Sequence, residues 1–238
     1  MRTEAVKLPL TDRFWGWFEA NKRQAIGGAI IIVLAGLATG FFLYQREQRE
    51  AEAGEALSNI VVPEATGLSQ RPDAANAYLK LVTDYPKSPA AAHALLLAAA
   101  HLYDQDKYHE AQQQFERFVR EYRQDPLLSE AFLGLAACAD AQHRTNDAIT
   151  AYKNLIERQP NSNVIPQARF ALARLYESTG KLPEAKTLLE EVERSNPYGS
   201  LGSEAGIRLE ELKARHPELF PTPAPMTTNA PGQFPPIR

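Results

Sequence analysis

The chain has 238 residues, 44% of them hydrophobic, a net charge of −3 and one cysteine, Cys138. That length holds one membrane span and one moderate domain. The charge leaves no basic footprint for nucleic acid, and a single cysteine excludes an intramolecular disulfide.

Residues 1–24 carry Arg2, Lys7, Arg13, Lys22 and Arg23, with Trp15, Trp17 and Phe18 among them. Ala25 to Tyr44 then runs without a charge, as AIGGAIIIVLAGLATGFFLY, and ends on Phe41, Phe42 and Tyr44. At the helical rise this stretch reaches about 30 Å, the thickness of a hydrocarbon core. It reads as one transmembrane helix over 25–44, with aromatic residues at both interfaces. A cleavable leader is the competing reading. Its apolar region would be about 7–15 residues long and end at a small-residue site. Gly36-Leu37-Ala38 imitates such a site, but the apolar run continues past it to Tyr44. Residues 45–62 contain only Arg46 and Arg49 as basic groups. The basic excess therefore places the N-terminus in the cytoplasm and the repeats across the membrane; in a Gram-negative bacterium that membrane would be the inner one and the far side the periplasm. Gly36 and Gly40 make a GxxxG pair, with Gly28 on the same face. Small residues let helices approach closely in lipid, which suits a homodimer seam or contact with another membrane protein; the ordinary glycine content of membrane helices is the alternative.

Gln45 to Ile60 is polar, alanine-rich and compatible with a helix that continues the span outward. Val61 to Gln70, with Pro63 and Gly67, reads as the break, so 45–70 is a membrane-proximal helix and loop.

From residue 71 to 216 a period dominates. Ala74, Ala111, Ala148 and Ala185 stand 37 residues apart. Four residues beyond each comes Tyr78, Phe115, Tyr152 or Leu189, and seven beyond comes Leu81, Phe118, Leu155 or Val192. Pro86, Pro160 and Pro197 follow at twelve, with Pro126 slipped. Around Ala148, Phe132, Leu135, Ala136 and Ala139 form one helical stripe, and Ala148, Tyr152 and Leu155 form a second after a polar turn. Each unit is thus two antiparallel amphipathic helices, small where they cross and stopped by proline. Such units bury their apolar faces by stacking. Leu201 to Arg215, with Ala205, Ile207, Leu209 and Leu212, reads as the capping helix; Gly202 and Gly206 weaken it, so packing has to hold it. Residues 217–238, rich in proline from Pro217 to Pro236, read as a solvated tail that is flexible or extended, or as a docking peptide.

These residues resemble the tetratricopeptide repeat (TPR) over about residues 70–197, with a period longer than the usual 34 residues and no tryptophan at the early first-helix site. The expected fold is all-α: a transmembrane helix, then a TPR-type α-solenoid of about four helix-pair repeats with a C-terminal capping helix. The stretch Tyr85-Pro86-Lys87-Ser88-Pro89 looks like the lengthened variant of bacterial envelope proteins. The resemblance maps a partner-binding groove onto His93, Leu96, Tyr103 and Asp104, then Glu130, Leu133 and Asp140, then Phe170, Arg174 and Glu177. Leu96, Leu133 and Phe170 are one repeat apart and would line it with an apolar strip, or simply pack against neighbouring helices. TPR domains that clamp a terminal carboxylate present lysine, asparagine and arginine there. Here only Arg174 offers a cation, so an extended or helical apolar segment fits better.

Catalytic, phosphate-binding and HExxH-type metal patterns do not occur, so neither enzymatic activity nor a cofactor is expected. His93, His101 and His109 do not share one helical face, and Glu184, Glu190, Glu191 and Glu193 read as a solvated helix face. Cys138 lies in an apolar stripe and reads as a small buried hydrophobe; a redox role would need a thiol from another chain.

An N-in single span, a juxtamembrane helix and a far-side TPR array together are similar to the YfgM family of inner-membrane proteins associated with the Sec translocon and periplasmic chaperones. The resemblance implies a noncatalytic, chaperone-like adaptor that binds exported polypeptides or envelope proteins near the translocon. A TPR scaffold for outer-membrane, cell-wall or cytochrome-maturation machinery is the alternative.

Overall fold

The computed structural model describes residues 22–65 and 73–220. Arg2, Lys7, Arg13, Trp15, Trp17, Phe18, Gly67 and the proline-rich stretch from residue 221 lie outside the described residues. Nine α-helices and one 3₁₀ turn occupy the described residues, and the chain divides into two units, residues 1–94 and 95–238.

In the first unit, α1 (Lys22–Ala65) is a single helix of 44 residues. Its first half is exposed among the described residues: ten large apolar side chains from Ile30 to Tyr44 are 52–73% exposed. By length and composition this helix is apolar enough to cross a membrane. Its second half is amphipathic. Ala53 is fully buried, and Glu50, Ala56, Leu57, Ile60 and Val61 are half-buried, a helical stripe on one side. That side packs against α2 (Ala74–Asp84), which answers with Ala74, Ala75, Tyr78, Leu81 and Val82. The extension of α1 is therefore the first helix of the first pair. The break expected at 61–70 comes later than Val61, because the helix runs through Pro63 to Ala65. One missing donor costs a long helix one backbone bond without ending it at that residue.

α2 ends with Tyr85 N–H donating to the Leu81 carbonyl at 2.9 Å. Ser88 then caps α3 (Pro89–Asp104): its hydroxyl oxygen accepts the Ala91 N–H at 3.0 Å, beside a proline at the first helical position.

The second unit continues from within α3. It contains α4 (Tyr108–Glu121), α5 (Leu128–Ala141), α6 (Thr145–Arg158), α7 (Ile165–Ser178), α8 (Leu182–Ser195) and α9 (Ser200–Arg215). From α4 onward each helix packs on the next, and α9 also reaches α7. Ala111, Ala148 and Ala185 are 0% exposed, which is what allows the paired helices to cross closely. Phe115, Phe118, Tyr152, Leu155, Leu189 and Val192 are buried between neighbours, each contributing about 1.5–3 kcal/mol. One cluster joins α5, α6 and α7 through Ala136, Tyr152, Leu155, Ile165 and Leu172. A second joins α7, α8 and α9 through Phe170, Ala173, Leu189, Val192, Ala205 and Leu209.

The 37-residue period is also written in the backbone. Two 14-residue helices, a three-residue turn and a six-residue turn make one unit. The short turns hold Asp106, His143 and Gly180 at φ 59°, 58° and 76°. Lys107, Arg144 and Lys181 each donate back to Leu102, Ala139 and Tyr176 at 2.8–3.0 Å, the Schellman closure of a helix end. The long turns begin at Tyr122, Gln159 and Asn196, whose N–H groups donate to Phe118, Leu155 and Val192. The turns at Tyr122 and Gln159 are six residues long, which accounts for a period beyond 34; the one at Asn196, before the last helix, has four.

Residues 217–220 depart from the solvated tail expected from Pro217. Pro217–Leu219 forms a 3₁₀ turn, and Phe220 packs on the α7–α9 cluster with the Lys186 ammonium 5.0 Å from its ring centroid. An aromatic side chain next to a cation and an apolar wall has reason to stay.

Candidate functional site

The first helices of successive pairs, α3, α5 and α7, carry the candidate groove residues. His93 belongs to the N-terminal unit and is exposed on α3. The others lie in the second unit.

Tyr103, Asp140 and Arg174 come from three consecutive first helices and fall within electrostatic reach of one another. Tyr103 is half-buried and its ring meets Tyr108 edge-on at 5.0 Å between centroids. Burial first, then Cys138 and Asp140, push the Tyr103 phenol above its ordinary range, while Arg174 opposes them. Tyr152 rises from α6 beneath this line. It is 2% exposed, and its phenol is pushed up by burial, then by Asp140 and Tyr103, again against Arg174. The face thus offers the half-buried Tyr103 phenol, the half-buried Asp140 carboxylate and the exposed Arg174 guanidinium, with Tyr152 buried beneath them. These three side chains carry both hydrogen-bond donors and acceptors.

The apolar strip is more closed than its spacing suggested. Leu96 is 9% exposed, and Leu133 is half-buried against the α5–α7 cluster. Phe170 is buried beneath α9, where Arg208 lies over its ring at 5.4 Å. Arg208 also pairs with Glu177 at 3.1 Å. The third step of the strip is therefore occupied by the capping helix, and Arg174 stands exposed beside it. Glu130 is half-buried, with its Oε2 shielded and making no hydrogen bond among the described residues; Glu177 Oε1 is in the same state. Asp104 is exposed at the end of α3.

Gly28, Gly36 and Gly40 face open space, since a Cβ on any of them would meet nothing within 4 Å. Cys138 is fully buried and unpaired, and burial pushes its thiol up to about 11. Among the described residues no cluster of His, Cys, Asp and Glu has the arrangement to hold a metal ion. A cleft of about 440 Å³ between α4 and α5, lined by Glu116, Arg120, Arg123, Phe132 and Leu135 among others, was not singled out by sequence. Only the half-buried Phe132 and Leu135, on the side of α5 that the repeat stripe assigns to the core, could have signalled it.

The chain matches the family model of a tetratricopeptide repeat-like domain over residues 16–154. A tetratricopeptide repeat model matches residues 141–198. Comparison with curated proteins gives no match. Among solved structures, the type III secretion translocator chaperone SycD of Yersinia enterocolitica is 23% identical, over 55% of this chain and 96% of its own, with a TM-score of 0.47. PcrH of Pseudomonas aeruginosa is 22% identical, over 53% of this chain and 94% of its own, with a TM-score of 0.47. A kinesin light chain with TPR-like repeats from Podosopora anserina is 15% identical, over 73% of this chain and 88% of its own, with a TM-score of 0.49. Alanines at the helix crossings, aromatic and leucine residues between them, and a family model matched across more than half of the residues agree: the chain belongs to the tetratricopeptide repeat-like domain family.

Proposed function

We propose that this protein is a single-pass inner-membrane scaffold whose TPR unit binds polypeptide segments on the periplasmic side, as a chaperone-like adaptor near the Sec translocon. The observation that carries the reading is the two-part character of α1. One half exposes apolar side chains that gain roughly 1 kcal/mol or more each on leaving water, and the other half is packed into the first helix pair. A leader cut at Gly36-Leu37-Ala38 would sever a helix that is continuous with the folded unit. Arg2, Lys7, Arg13, Lys22 and Arg23 on the N-terminal side support an N-in orientation. Gly28, Gly36 and Gly40 leave a face of the span on which a second copy or a translocon helix would pack.

The TPR families matched here are typically noncatalytic scaffolds. The line from Tyr103 through Asp140 to Arg174 supplies donors and acceptors for an extended chain, and Glu130 adds a half-buried carboxylate on α5. Leu133, half-buried on α5 against the core cluster, is the apolar residue that the TPR resemblance assigns to the groove. Anchoring raises the local concentration of this face beside the membrane, so weak and varied contacts suffice.

Photo-reactive residues at Tyr103, Leu133 and Arg174 test the reading in intact cells. Capture of translocon subunits and of many different exported chains supports it. Repeated capture of one envelope-assembly protein would replace it with the assembly-scaffold reading, and an unlabelled face would remove the assignment of the groove.

A further inference from the structure

A separate site is built where α1 leaves its apolar half. Arg46 and Arg49 of α1 and Lys87 of the α2–α3 turn line one cavity of about 620 Å³, with Phe42 and Tyr85 as apolar walls. Glu50 is the one carboxylate among its lining residues and is paired to Arg46 Nε at 2.8 Å. Three cations against one anion leave an excess of two positive charges. Lys87 stands at φ 66°, a conformation an L side chain adopts at a cost and a glycine would adopt freely. The turn nevertheless places an ammonium there.

Height decides what this cavity meets. Arg46 and Arg49 follow Tyr44 by two and five residues, hence about 3 and 7.5 Å along the axis. The headgroup layer on each side of the hydrocarbon is about 5–7 Å deep. Two guanidiniums and an ammonium converge at that depth. Guanidinium donors match phosphate oxygens in fork geometry, and lysine adds a point charge.

We propose that this cavity holds the phosphate headgroup of an anionic phospholipid from the leaflet into which α1 emerges, with Phe42 against its acyl chains. The proposal rests on α1 spanning the membrane. The site is far from the Tyr103–Arg174 line in sequence and uses none of its residues.

The full chain is reconstituted in phosphatidylcholine nanodiscs with and without phosphatidylglycerol, and retained lipids are counted by native mass spectrometry. Wild-type protein is expected to retain phosphatidylglycerol over phosphatidylcholine. The double variant Arg49→Gln/Lys87→Gln is expected to lose roughly tenfold or more in that preference, at about fivefold per surface cation. Lys87→Arg is expected to keep it, and matching circular dichroism melts show that the variants fold. A chain that incorporates but shows no preference, or shows one unchanged in the double variant, overturns the lipid site alone. Displacement of the lipid by millimolar glycerol phosphate would reassign the cavity to a soluble phosphate. A chain that fails to incorporate at all overturns the span, and this site with it.

Discussion

Asp106 and His143 occupy the same left-handed turn position as Gly180, two repeats and one repeat earlier. An L side chain there costs about 1–2 kcal/mol, partly offset because glycine loses about 0.5–1 kcal/mol more conformational entropy on folding. Gly180→Ala is therefore expected to destabilise by about 1 kcal/mol, since open space around it leaves φ as the sole penalty. His143→Gly should stabilise by about 0.5 kcal/mol. At this size each kcal/mol moves Tm by roughly 2–4 °C, so melts of the full chain in detergent read both signs. If Gly180→Ala melts with wild type, the Schellman account of these turns is wrong. Cys138 makes a second residue-scale test. Its folded thiol is raised from 9.0 to about 11, so the unfolded chain loses its proton first as pH rises. The thiol's contribution to stability is complete below pH 9 and lost as pH climbs towards 11. Maleimide at pH 7 should leave Cys138 unmodified until the chain unfolds, and rapid labelling of native protein would contradict its burial.

At the scale of elements, α9 does more than cover a face. Gly202 is buried where α9 crosses the end of α8, and a Cβ there would collide with the Asn196 carbonyl. Backbone cannot swing aside as a side chain can, so Gly202→Ala is expected to cost about 1–3 kcal/mol by displacing the cap. Gly206→Ala, facing only a glutamate side chain, should be close to neutral. Equal effects of the two would refute the close approach. Arg208 ties the same helix to Glu177 and to the Phe170 ring, both partly shielded. Arg208→Ala should cost about 1 kcal/mol, discounted for exposure, and loosen α9 in hydrogen exchange.

The helix pairs themselves were legible from sequence, because the steric demand for alanine at a crossing and a large residue four and seven places on is local to each unit. The closed end of the apolar strip was not. Phe170 has the same spacing as Leu96 and Leu133, and only the third dimension puts α9 on top of it. The same holds for Lys87, whose meeting with Arg46 and Arg49 joins positions about 40 residues apart. The break near Val61 was misplaced because proline statistics describe helix ends better than they describe a long helix already held by packing.

For the whole molecule, the proposed orientation is read by a simple experiment. Protease added to intact spheroplasts should digest the repeats; digestion only after lysis would put them in the cytoplasm. A further property follows from α1 being one helix from Lys22 to Ala65, with Ala53 seated against α2. If α1 spans the membrane as proposed, it acts as a keyed shaft whose angular phase is transmitted to α2. Each residue inserted between Tyr44 and Ala53 would turn α2 by about 100° and lift it by about 1.5 Å relative to the span. One inserted alanine should therefore abolish capture by a membrane partner while leaving the fold intact, and seven should nearly restore the phase. A flexible tether would treat both insertions alike. The direction in which α2 faces is thus set by the count of residues in a helix.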